Sequence, residues 1–142
     1  TKSMVLAKLS LHERVPLLPF LDWTLAYNKG VAFSLFNQGA TWQRYGLSAF
    51  ALLIATVFVL WLARLPRSDK WSAAALALVI GGALGNVIDR LRLGHVVDFV
   101  LVYWREWSWP AFNVADSAIC IGAVLLLYAG WRGERERKAA GA

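Results

Sequence analysis

A chain of 142 residues that is 58% hydrophobic, with eight Trp and a formal net charge of +6, is too apolar for an ordinary soluble domain and long enough for only one. Its Lys and Arg residues lie between and after the apolar runs and build no basic face interleaved with exposed aromatics, which favours a membrane surface over nucleic acid. The single cysteine, Cys120, excludes an internal disulfide framework and a multi-cysteine metal site, and inside an apolar run it reads as a small hydrophobe.

In chain order, residues 1–10 read as the end of a truncated first helix, most of which would precede residue 1. Leu21, Trp23, Leu25 and Tyr27 then alternate with Asp22, Thr24, Ala26 and Asn28, the period of a half-buried strand. Asn28-Lys29-Gly30 supplies a turn, and Val31 to Phe36 reads as a second strand. The two make a small β hairpin lying on the outer membrane face, within residues 15–40. Three runs long enough to span a bilayer follow, at 45–63, 71–88 and 111–131, and the only charge inside them is Asp116. Gly81 and Gly85 have the spacing that lets helix backbones approach in lipid, and a span that merely tolerates glycine fits them equally well. Trp42, Trp61, Trp71, Trp104, Trp107, Trp109 and Trp131 flank apolar runs, where amphipathic rings prefer to sit.

The segment Arg64 to Lys70 holds three basic residues, and Arg132, Arg135, Arg137 and Lys138 follow the last run. The positive-inside rule puts both segments in the cytoplasm and residues 1–44 and 89–110 outside. Val96 to Trp104 reads as a strand or an extended interfacial segment.

The polar residues of interest gather at one level, the outer ends of the second and third runs: Asn86, Asp89, Arg90, His95, Asp98, Asn113 and Asp116. Ionisable groups at the bilayer boundary are costly, so they are usually paired or functional. Asn86, Asp89 and Arg90 share one helical face, and a carboxylate near a helix C-terminus calls for a cation, which Arg90 or Arg92 can supply. They suit a structural role or direct substrate contact. Asn113 and Asp116 have capping-box spacing behind Pro110, so helix capping alone would account for both. Asp98 interrupts Val96-Val97-Asp98-Phe99-Val100, where strand packing has no use for a carboxylate unless it faces solvent. His95 stands close enough to orient it. No spacing suggests a metal site, and Ser117 has no activating base. Two facing carboxylates, Asp98 and Asp116, would share a proton and work as acid and base without a cofactor. A transporter would instead place polar groups through the membrane depth, and a non-catalytic scaffold would leave Asp98 unexplained.

Tyr27-Asn28-Lys29-Gly30-Val31-Ala32-Phe33-Ser34, Gly82 to Arg90, His95-Val96-Val97-Asp98-Phe99 and Phe112 to Ala118 together resemble, in order and spacing, the motifs of bacterial lipoprotein signal peptidase, or signal peptidase II. The resemblance implies an α-helical integral membrane protein of the bacterial inner membrane. Its fold would be a transmembrane helix bundle, with three spans present where the family has four, and a small extracytoplasmic β cradle. The whole chain, 1–142, would be a single membrane-embedded aspartic peptidase domain. It would act as a monomer without metal or cofactor, on lipid-modified prolipoproteins among membrane lipids, cutting before the diacylglyceryl-modified cysteine. The catalytic pair falls on Asp98 and Asp116. Asn28, Asn86, Asp89, Arg90 and Asn113 match positions that support the site or touch substrate and the antibiotic globomycin. The family's first helix ends in an Asp-x-x-Thr/Ser-Lys motif, of which Thr1-Lys2 would be the end.

Overall fold

The structure is a computed structural model that describes residues 1–30 and 41–141. Three long helices carry the apolar runs: α2 (Thr41–Arg64), α3 (Lys70–Leu93) and α4 (Val114–Ala140). All three are long and apolar enough to cross a membrane, with mean hydropathies of 2.3, 1.7 and 1.7. A short helix, α1 (Lys2–Lys8), precedes strands β1 (Arg14–Leu18) and β2 (Leu21–Asn28); β3 (Val96–Trp104) and β4 (Trp107–Ser108) lie between α3 and α4. The expected strand over 31–36 lies outside the described residues.

The helices run past the charge-free segments for local reasons. α3 continues through Asp89 and Arg90 and stops where Gly94 adopts φ +83°, its N–H bonded to the Arg90 carbonyl at 3.0 Å. Arg44 of α2 donates to the Leu91 carbonyl, satisfying another acceptor of that last turn. α4 starts only at Val114, because Phe112 is bound to the sheet, exchanging backbone hydrogen bonds with Val100 at 2.8 and 3.0 Å.

The described residues fall into two compact units, one drawn from 1–50 and 86–114, the other from 51–85 and 115–142. The first contains an antiparallel sheet in the order β1-β2-β3-β4. Its core is Val5 of α1 with Leu25, Val97 and Phe99. The β2 alternation has its covered side opposite to the one hydropathy suggests. Asp22 and Thr24 are buried at 4% and 5% exposure, whereas Leu21 and Trp23 are half-buried and Tyr27 is exposed. β2 lies between β1 and β3, so both of its edges are paired, and the Tyr103 hydroxyl donates to Asp22. A register shift between Trp23 and Ala26 then brings Leu25 to the core side.

In the second unit α3 and α4 meet through glycine. A Cβ on Gly82 would press on the Ala115 carbonyl and lie 2.8 Å from Ile119 Cγ1, and one on Gly122 would lie 2.6 Å from Val79 Cγ2. The close approach therefore belongs to Gly82 and Gly122, and of the two readings of Gly81 and Gly85 the structure favours glycines that the span tolerates. A Cβ on Gly81 would meet nothing within 4 Å, and one on Gly85 only an ordinary contact.

Candidate active site

Asp98 is the third residue of β3, opposite Ala26 of β2, and is 2% exposed. Successive residues of a strand point to opposite faces, so Val97 and Phe99 enter the apolar core while Asp98 emerges on the other side. A carboxylate that deep must have partners, and two carboxamides provide them. Asn113, fully buried immediately before α4, donates from Nδ2 to Asp98 Oδ1 at 2.7 Å. Asn28, at the end of β2, donates from Nδ2 to Oδ2 at 2.9 Å. The Asn28 orientation is fixed independently, because its Oδ1 accepts the Gly30 N–H at 2.8 Å and so leaves the NH₂ group for Asp98.

The network continues onto α3. Asn113 Nδ2 also approaches Asn86 Oδ1, at 3.2 Å. That oxygen accepts from Lys2 Nζ at 2.8 Å, and the same ammonium pairs with Asp89 Oδ2 at 2.7 Å. Asp89 Oδ2 accepts the Val97 N–H at 3.0 Å, which ties the last turns of α3 to the residue beside Asp98. Asn86 and Asp89, three apart on α3, are 6% and 8% exposed. The cation that Asp89 needs at a helix C-terminus is therefore Lys2 and not Arg90 or Arg92. Lys2 is reached only through the fold, being 87 positions away, although the resemblance had already marked Thr1-Lys2 as the end of a family motif. Arg90 follows Asp89 on α3 and is half-buried.

The side chains that hold Asp98 are the two asparagines rather than His95. His95 stacks on Tyr27 with ring centroids 4.0 Å apart, and its Nε2 is buried with no hydrogen-bond partner among the described residues. Burial lowers its pKa below the usual histidine value, and Lys29 adds to this. The Asp89 charge and a hydrogen bond to the Leu93 carbonyl act the other way.

Asp116 is half-buried in the first turn of α4, three residues after Asn113. A cap uses the side-chain oxygen of Asn113, whereas the bonds to Asp98 and Asn86 use its nitrogen. Capping and site support are thus compatible roles for Asn113.

These features define a class: a multi-pass membrane protein in which two carboxamides hold a buried carboxylate on β3. A model described as "Signal peptidase (SPase) II" matches residues 1–132. The lipoprotein signal peptidase of Pseudomonas syringae pv. tomato is 55% identical over 120 residues, covering 83% of this chain and 69% of that one. The lipoprotein signal peptidase of Pseudomonas aeruginosa strain UCBPP-PA14 is 47% identical over 142 residues, covering 99% and 84%. A solved structure described as a bacterial membrane enzyme superposes with a TM-score of 0.80 at 26% identity, covering 92% of this chain and 78% of that one. The chain belongs to the signal peptidase II family, aspartic endopeptidases of the membrane that remove signal peptides from prolipoproteins.

Proposed function

We propose that Asp98 and Asp116 are the catalytic pair and that Asp98 is the base. The observation that carries this is the pair of carboxamide N–H groups on Asp98, one to each oxygen. Donors on both oxygens favour the charged form of a carboxyl group. Within the pair the ionised carboxylate takes a proton from water as that water attacks the scissile carbonyl, while the protonated carboxyl donates to the carbonyl oxygen. Collapse of the tetrahedral intermediate returns a proton to the leaving amine. Asn28 and Asn113 keep Asp98 oriented, and Asn86, Asp89 and Lys2 brace Asn113 and β3 around it. Arg90, beside Asp89, remains a substrate-contact candidate.

The substrate is a lipid-modified prolipoprotein, cut just before its diacylglyceryl cysteine, with acyl chains that add binding a soluble peptide lacks. By the basic residues of 64–70 and 132–138, the protein sits in the bacterial inner membrane with its site at the extracytoplasmic face. It works as a monomeric membrane-embedded unit, and globomycin would occupy the same site.

The test is cleavage of a lipidated prolipoprotein by Asp98→Asn, Asp116→Asn and the double variant, with melting temperature measured on the same samples. Each single substitution should cost on the order of 10²–10⁴-fold in turnover, and the double little more, because residues acting as a unit are not additive. An Asp116→Asn protein that keeps its turnover and loses only roughly 0.5–2 kcal/mol of stability would make Asp116 a helix cap and end this reading.

A further inference from the structure

At the other end of α3, in the second unit, a hollow of about 310 Å³ is lined by Ser68, Asp69, Trp71, Arg132, Gly133 and Glu136, together with Ala129. It lies where aromatic residues collect: Trp71 meets Tyr128 edge-on at 5.5 Å, and Tyr128 meets Trp131 at 6.2 Å. Amphipathic rings mark the headgroup level of a bilayer. The wall holds charges of both signs. Arg132 donates from Nε to Glu136 Oε1 at 2.7 Å, and a guanidinium has four further N–H groups. Asp69 accepts the Ser72 N–H through Oδ1 at 3.1 Å and so is held at the mouth with its charge. Gly133 leaves the hollow open, since a Cβ there would meet nothing within 4 Å.

We propose that this hollow binds the headgroup of a zwitterionic aminophospholipid, its phosphate on Arg132 and its ammonium on Asp69 and Glu136. Two carboxylates beside one guanidinium disfavour a ligand that is only anionic, and they match one that carries a cation next to its phosphate. A primary ammonium has three N–H donors for the carboxylates, whereas a choline nitrogen has none. The acyl chains would lie along the exposed apolar surface that α4 presents at Val124, Leu127 and Tyr128. The site is independent of the catalytic reading, since none of its residues takes part in the network around Asp98.

The experiment is thermal unfolding of the full chain in detergent with added phosphatidylethanolamine, phosphatidylcholine, phosphatidylglycerol or soluble glycerophosphoethanolamine. Phosphatidylethanolamine should raise the melting temperature in a saturating manner by roughly 3–6 °C, with little effect from the other three. Gly133→Leu adds a side chain to the lining of the hollow at a position whose Cβ has free space and improves helix propensity, and Arg132→Gln removes the phosphate partner. Both should abolish the shift while cleavage stays at its basal rate, and Arg132→Gln carries the test by itself if Gly133→Leu folds poorly. Equal shifts from all three lipids, or a phosphatidylethanolamine shift that survives in Arg132→Gln, would overturn the proposal. An equal response to glycerophosphoethanolamine would overturn the assignment to a lipid.

Discussion

Two ion pairs in this molecule have the same length and opposite consequences. Lys2–Asp89 and Lys138–Glu134 both measure 2.7 Å. The first has side chains 17% and 12% exposed and is tied on to Asn86 and to the Val97 N–H. The second has side chains 75% and 58% exposed and joins residues four apart on one helix. Distance alone would rank them equal. Solvent decides otherwise: an exposed pair contributes roughly 0–1 kcal/mol because water and salt already stabilise both charges. Breaking a buried pair leaves a charge without water or partner and costs about 3–5 kcal/mol. The molecule therefore uses ionic chemistry in two ways, to lock a site in one region and to keep a helix soluble in the other.

The largest effect should come from breaking the lock. Lys2→Met strands Asp89 next to the backbone of β3, and because both groups keep some exposure the expected loss is roughly 2–4 kcal/mol. Cleavage should fall as well, since Asn86 loses its ammonium donor and the carboxylate that holds the Val97 N–H beside Asp98 loses its counter-ion. Lys2→Met combined with Asp89→Asn should recover most of the stability, because no unpaired charge remains. Denaturation in detergent measures all three proteins, and a single variant no worse than the double would mean that Asp89 is not held by Lys2.

The helix that carries Asn86 and Asp89 is braced one turn earlier by its contact with α4. Gly82→Ala adds a methyl against the Ala115 carbonyl and Ile119, which overpacking should make cost about 1–3 kcal/mol. Gly81→Ala meets nothing and should be neutral or stabilise by up to ~1 kcal/mol through helix propensity. The melting temperatures of this adjacent pair separate a packed glycine from a tolerated one.

The same pair explains what a sequence can and cannot disclose. The spans are legible because a bilayer imposes a length and a composition on each one separately, and the motif residues are legible because a carboxylate inside Val96–Val100 has no packing purpose. Which glycine touches a neighbour depends on how two helices are rotated about their axes, and G-x-x-x-G spacing fits more than one rotation. Asp22 and Thr24 illustrate a second limit. Alternation identifies two faces of β2 but not which is covered, because a register shift moves Leu25 to the core side and in a membrane protein an apolar strand face need not turn inward. Lys2 illustrates a third. Arg90 and Arg92 were the nearer cations in sequence, and only the folded chain brings α1 to the end of α3.

A smaller effect should follow pH at the edge of the site. His95 has its pKa lowered mainly by burial, so the fold favours the neutral imidazole. Among the groups facing it, Asp89 and the Leu93 carbonyl favour the charged form, while Lys29 and burial oppose it. An unfolded chain takes up this proton near the ordinary histidine value of 6.5, whereas the folded chain does so only at lower pH. The stabilisation is therefore complete above that value and is lost as pH falls through the folded pKa. In His95→Gln, melting temperature should decline less than in the parent protein as the pH is lowered from 7.5 to 5.5. Parallel curves would show that the proton on His95 has no part in stability.

The smallest effect should come from the other ion pair, and its size is what completes the comparison. Lys138→Ala removes the partner of Glu134, but Glu134 stays in water and needs no replacement. Pairs of this kind on a helix surface contribute about 0.3–0.5 kcal/mol, and alanine returns part of that through better helix propensity. Arg132–Glu136, also exposed and four apart, continues to support the same stretch of α4. Melting temperature should thus shift by about a degree at most, with cleavage unchanged. Raising the salt concentration should erase the difference between Lys138→Ala and the parent, since exposed charges are screened within a Debye length of ~10 Å at 0.1 M. Salt should leave the Lys2→Met deficit largely intact, because an ion pair sheltered by α3 and β3 is screened far less. A Lys138→Ala loss as large as that of Lys2→Met, or a Lys2→Met loss that salt removes, would mean that burial does not distinguish these two pairs.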